Sequence, residues 1–151
     1  MDAKIEKILI AVDFSEPSEK ALAMGALLAR RFQVPVKLLH VSAPVVVPWE
    51  VSLAGGVDLE AIGEEMMEKA KKSLEDLAAK YLGDLHAEIE VRQGDAASEI
   101  LFVAEHGNID LVVVATHGRS GLRRFVMGSV AEKIVRHAPC PVLSIRHETS
   151  T

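Results

Sequence analysis

The stretch IDLVVVATHGRSGLRRFVMGSVAEKIV, Ile109–Val135, decides the fold. Ile109 to Val114 is a mostly apolar run that reads as a strand, and the chain from about Val130 to His137 reads as a helix. The junction between them, Ala115 to Val130, holds three glycines, three arginines and no acidic residue, in a chain of formal net charge -5. Positive charge and bare backbone gathered where a strand hands over to a helix point to a seat for an anion.

A phosphate needs donors that approach closely and are cheap to desolvate. Backbone N–H groups at a helix N-terminus supply them, and glycine removes the side chain that blocks approach. Gly118, Gly121 and Gly128 are placed for this, and Arg119, Arg123 and Arg124 add charge and forked donors. The helix dipole adds about 0.3–1 kcal/mol for an anion at the first turn. Plainer readings stand beside this one. Ser129-Val130-Ala131-Glu132 fits a capping box, with Ser129 as N-cap and Glu132 answering it, so that Ser129 serves its own helix. The arginines fit a solvated loop, and any one glycine fits turn chemistry.

Working outward, strands and helices alternate. Ile5 to Val12 reads as a strand buried on both faces, stopped by Asp13-Phe14-Ser15-Glu16-Pro17. Ser15 is an N-cap candidate with Pro17 in the first turn of a helix running to about Phe32. Val36 to Val41 is a second strand. Asp58 to Leu82 is the longest helix, with Leu59, Ile62, Met66, Ala70, Leu74, Leu77 and Tyr81 recurring at three or four residues. Glu65–Lys69, Glu68–Lys72 and Asp76–Lys80 have the spacing of ion pairs on its solvated face. Ala87 to Val91 alternates as a half-wet strand, Asp95 caps a helix to about Glu105, and Val142 to Ile145 is the last strand. Between the second strand and the long helix, SAPVVVPWEVSLAGGV (Ser42 to Val57) fits neither a good helix nor an interior strand. It reads as a flap, with Trp49 and the valines packed on the body or presented to a ligand or partner.

Five strands separated by helices predict an α/β fold, a parallel sheet with helices on both faces, and one domain over residues 1–151. In such sheets ligands bind beyond the carboxyl ends of strands where strand order reverses. That rule selects Asp13, Val41 and the Ala115–Val130 junction. The acidic balance argues against general nucleic-acid binding. The single Cys140 excludes an internal disulfide and fits a reducing compartment. No segment approaches 18 apolar residues, and the run Ile8 to Val12 is too short for a secretion signal. The expected location is the cytoplasm, away from membranes.

With these residues on the page, the chain resembles the universal stress proteins, in their nucleotide-binding branch. The family motif G-x2-G-x9-G-[ST] reads here as Ala115-Thr116-His117-Gly118, nine residues, then Gly128-Ser129. The likeness extends to ILIAVDFSEPSEKAL, LLHV and GSVAEKIVRHAPCPVLSI. It implies a Rossmann-like sheet of strand order 3-2-1-4-5 with ATP, alone or with Mg²⁺, in the crevice between the first and fourth strands. Asp13 and Val41 would then hold the adenosine end, and Ala115, Gly118, Gly128, Ser129 and Val130 would line the ribose and phosphates, beside Arg119. Read without the resemblance, Asp13 is a turn former. The likeness also implies a homodimer paired through Val142 to Ile145. The chain departs from the motif once: Ala115 stands where the first glycine is expected. If that position needs a left-handed backbone, alanine costs about 1–2 kcal/mol.

Three function classes follow. The first is an ATP-binding stress or signalling module acting on an unnamed protein partner. The second is a weak ATPase; no lysine lies between Ala115 and Val130, a Walker A loop is absent, and His117 is the nearest candidate for a base. The third is a nucleotide-free dimeric interaction protein in which Ala115 marks a lost site. The six histidines and Cys140 show no metal-ligand spacing.

Overall fold

A computed structural model describes residues 4–118 and 127–146. The chain order is β1 (Ile8–Ala11), α1 (Glu16–Phe32), β2 (Val36–Ser42), α2 (Trp49–Leu53), α3 (Leu59–Leu82), β3 (Ala87–Gln93), α4 (Ala96–His106), β4 (Leu111–Ala115), α5 (Ser129–His137) and β5 (Val142–Ile145). All five strands run parallel in one sheet of order β3-β2-β1-β4-β5, the order that the resemblance implies. The first and fourth strands are shorter than their apolar runs, because Ile5 and Ile109 pack outside the ladder.

The two-residue period of the strands sorts the core into two layers. Ile8 and Ile10 of β1, with Val36, Leu38, Leu111 and Val113, meet Leu22 and Ala26 of α1 and Leu74 and Leu77 of α3. Leu9 and Ala11, with Leu39, Val112 and Val114, meet Ile100 and Val103 of α4 and Ile134 of α5. Caps fix the helix starts, at Ser15 and Asp95 as the sequence predicts and at Asp58 as the structure adds. Ser15 accepts from Ser18 N–H at α1, Asp58 from Ala61 N–H at α3, and Asp95 from Ser98 N–H at α4. Cys140 is half-buried, packed beneath the second layer, and desolvation, with Asp110 nearby, raises its thiol pKa.

Three expectations are corrected. The flap holds a short helix, α2, and Trp49 is 67% exposed rather than packed on the body. Of the three predicted ion pairs on α3, Glu65–Lys69 forms at 2.9 Å, whereas Lys80 turns away from Asp76 to Glu19 at 3.5 Å and Glu68 makes no pair with Lys72. The apolar stripe of α3 is buried from Ala70 onward but exposed at Leu59, Ile62 and Met66. Periodicity shows which face is apolar; it does not show whether anything lies opposite.

Edge strand β3 turns Ala87, Ile89 and Val91 to the core and Glu88, Glu90 and Arg92 outward. Lys37 of β2 reaches Glu88 at 2.8 Å and Glu90 at 2.6 Å, and Arg92 joins Glu90 to Glu99 of α4. Hydrogen bonding from Lys37 lowers the pKa of Glu88. Desolvation opposes the Glu90 carboxylate, yet Lys37 and Arg92 outweigh it and hold its pKa low as well. Carboxylates with depressed folded pKa values contribute stability above their unfolded value of about 4.3, and lose it as pH falls through the folded values. The melting temperature is therefore expected to fall from pH 5 to pH 3. In Lys37→Met that acid-side fall shrinks, and an identical fall in both proteins on calorimetric melting would contradict this account.

Candidate functional site

The strand order reverses between β1 and β4, and a cavity of about 290 Å³ opens there at the carboxyl ends of the sheet. Asp13, Val41, Ala115, Gly118, Gly128, Ser129 and Val130 all line it. Arg119, like Gly121, Arg123 and Arg124, lies outside the described residues.

The first wall is the corner after β1. Asp13 Oδ1 accepts from Ser15 N–H at 3.0 Å and from the Ser15 hydroxyl, and Asp13 N–H donates to Ser18 Oγ at 3.2 Å. Asp13 is thus a turn former that also lines the cavity. Phe14 pays for this sharp corner with a left-handed backbone, φ 65°. Its ring packs on His40 of β2 at 4.3 Å, and His40 Nδ1–H donates to the Val12 carbonyl at 2.8 Å. The other oxygen of Asp13 faces Gly118: a β-carbon there would fall onto Oδ2. The missing side chain at Gly118 lets the β1 and β4 loops close on each other.

The second wall comes from β4 and α5. Ala115 ends β4 opposite Ile145 and is not in the left-handed region. The backbone penalty feared for this departure from the motif is absent, because strand pairing holds the position extended. Thr116 N–H donates to the Ile145 carbonyl at 3.0 Å, and the Thr116 carbonyl accepts from Gly128 N–H at 2.7 Å. That second bond clasps the two ends of the motif. A β-carbon on Gly128 would stand 3.0 Å from the same carbonyl, so the close approach favours glycine.

The capping box is corrected here. Gly128 (φ -61°, ψ 154°) is the N-cap of α5, and Ser129 is its first helical residue. Glu132 does not reach back; it pairs with Arg136 at 2.9 Å. Helices α1, α3 and α4 begin under a side-chain cap, whereas α5 has none. Its first-turn residues Ser129, Val130 and Ala131 line the cavity, and the first N–H groups of a helix have no intrahelical partner. Among the described helices of eight residues or more, α5 is the one that starts without a side-chain cap, and its first turn lines the cavity.

Other lining residues escaped the sequence reading. Ala96 and Ile100 of α4 form part of the floor, as does Leu39 of β2. Nothing local in their sequence marks them; crossover packing brings them there. His117 also lines the cavity, with Nδ1 3.0 Å from Thr116 Oγ1.

The model of the Universal stress protein family matches residues 4–146. The chain belongs to the universal stress protein family. The universal stress protein YxiE of Bacillus subtilis is 35% identical over 146 residues, covering 93% of this chain and 98% of that one. The solved structure of hypothetical protein MJ0577 superposes with a TM-score of 0.82 at 25% identity, covering 97% and 99% of the two chains. A family protein of Arabidopsis thaliana, At3g01520, solved with AMP bound, shares the fold at a TM-score of 0.57 and 20% identity, covering 95% and 93%. The five-stranded doubly wound sheet is therefore this family's fold, with the cavity at its switch point.

Proposed function

We propose that the chain is a cytoplasmic ATP-binding stress or signalling module with slow hydrolysis or none. The observation that carries this is the uncapped start of α5 opening into the switch-point cavity. Apolar Leu39 and Val41 offer a wall for an adenine ring, Asp13 an acceptor for ribose hydroxyls, and the amides after Gly128 a seat for phosphates. AMP bound by the Arabidopsis relative supports the adenine preference. Mg²⁺ would enter with the nucleotide, since Asp13 is the one carboxylate among the described lining residues. Bound ATP would act on a partner through its differential affinity for two states of the protein. Isothermal calorimetry with ATP, with and without Mg²⁺, tests the reading: saturable binding at one site per chain is expected. No heat at millimolar ATP would favour the nucleotide-free interaction protein.

A homodimer belongs to the same proposal. The sheet has two edges. β3 protects its edge with Glu88, Glu90 and Arg92, whereas β5, Val142-Leu143-Ser144-Ile145, carries no charge and is half-buried along its length. Antiparallel pairing with a second β5 would complete it. Light scattering at micromolar concentration is expected to give twice the chain mass, and a constant single-chain mass on dilution would refute the pairing.

A further inference from the structure

We propose that a groove along the first three turns of α3 receives a basic amphipathic helix of a partner protein. The 24 residues of α3 span about 36 Å, while the seven residues of β2 beneath it span about 23 Å. The helix overhangs the sheet, and its apolar stripe continues onto the overhang. Leu59, Ile62 and Met66 remain 37%, 38% and 43% exposed there, although they stand at core spacing.

A groove of about 700 Å³ runs between this overhang and the chain leaving β2. Val45, Leu59 and Met67 give it an apolar floor, and Glu60, Glu64 and Glu68 edge it. Among the described residues no lysine or arginine lines it. Three glutamates four residues apart repel one another, and among the described residues none of them has an ion pair. Gly63 lies between them. Glycine in a helix interior weakens the helix relative to alanine, yet a β-carbon there would meet nothing within 4 Å. Among the described residues nothing requires that glycine; close approach by another backbone would use it. An apolar floor, an unpaired acidic edge and a bare-backbone gap together suit a helix with an apolar stripe at i, i+3, i+4 and i+7 flanked by lysine or arginine. This inference stands apart from the nucleotide reading.

The test is fluorescence anisotropy of a labelled 18-residue synthetic helix, with leucine on one face and lysine on the other, titrated with the full chain. The lysine peptide is expected to bind with an affinity that falls as salt rises, and the same peptide with glutamate in place of lysine to stay free. The double variant Glu64→Lys/Glu68→Lys and the single variant Gly63→Leu should each weaken binding at least tenfold without lowering the melting temperature. Glu75→Lys/Asp76→Lys, an equal charge change farther along α3, should leave it within twofold. Absent binding, equal binding of the acidic peptide, or equal losses in both double variants would overturn the proposal. So would a change of oligomeric mass in Gly63→Leu, which would assign the groove to a second copy.

Discussion

Gly128→Asp is expected to abolish ATP binding while the protein stays folded. The variant places a carboxylate at the N-cap of α5, where the proposed phosphates sit. Two like charges about 4 Å apart repel by about 4 kcal/mol at an effective dielectric of 20. Each 1.4 kcal/mol is about tenfold in affinity, so even with solvent screening a loss of at least about a hundredfold follows. Stability should hold for an equally physical reason. The backbone at Gly128, φ -61° and ψ 154°, is one that aspartate adopts as an N-cap, and helix α5 has no side-chain cap of its own. An aspartate there can accept from the first-turn N–H groups and stabilise the helix it deprives of ligand. The new β-carbon, 3.0 Å from the Thr116 carbonyl, asks for a shift of that loop. Gly128→Ala separates the two effects, since it carries the steric cost without the charge and should weaken binding far less. Calorimetric titration beside thermal melting reads both. Wild-type ATP affinity in the aspartate variant would remove the phosphate seat from the argument.

Ile134→Ala should be the most damaging single truncation on α5. This nine-residue helix buries only Ala131 and Ile134, and Ile134 is fully buried against Leu9, Val112 and Val114 in the second core layer. Large-to-alanine changes in a core cost about 2–5 kcal/mol, a large share of the roughly 5–15 kcal/mol that holds a domain together. Because α5 has no other large anchor, the same change should loosen its first turn and reduce ATP affinity. Val135→Ala, at a half-exposed position on the same helix, is the control and should stay within about 0.5 kcal/mol of the parent. Urea unfolding with an unchanged slope gives the comparison. A loss below 1 kcal/mol for Ile134→Ala would mean that α5 is not seated by this contact.

Much of the candidate site can be read in the sequence because its parts are local. Asp13 follows an apolar strand and precedes a cap, and Gly128-Ser129 precedes an amphipathic helix; such signals lie within a few residues of what they specify. The role of each glycine is less visible. Gly118 suggests a phosphate contact by type, and the structure adds that its bare backbone makes room for Asp13, 105 positions earlier in the chain. Ser129 fits a capping box by spacing, yet the helix begins one residue sooner, since Gly128 is drawn to the Thr116 carbonyl and turns the chain there.

By itself the sequence determined the alternation of strands and helices, the caps at Ser15 and Asp95, and the identity of the strand-to-helix junctions, because short-range periodicity and hydrogen bonding set these. Tertiary structure alone decided three matters. Pairing with Ile145 keeps Ala115 extended, so its methyl group carries no left-handed penalty. Crossover packing brings Ala96 and Ile100 of α4 to the cavity. The end of the sheet, not any change of pattern, leaves the first turns of α3 without a core to cover them. In each case the deciding contact joins residues far apart in the chain, and a pattern read along one segment carries no information about what stands across from it.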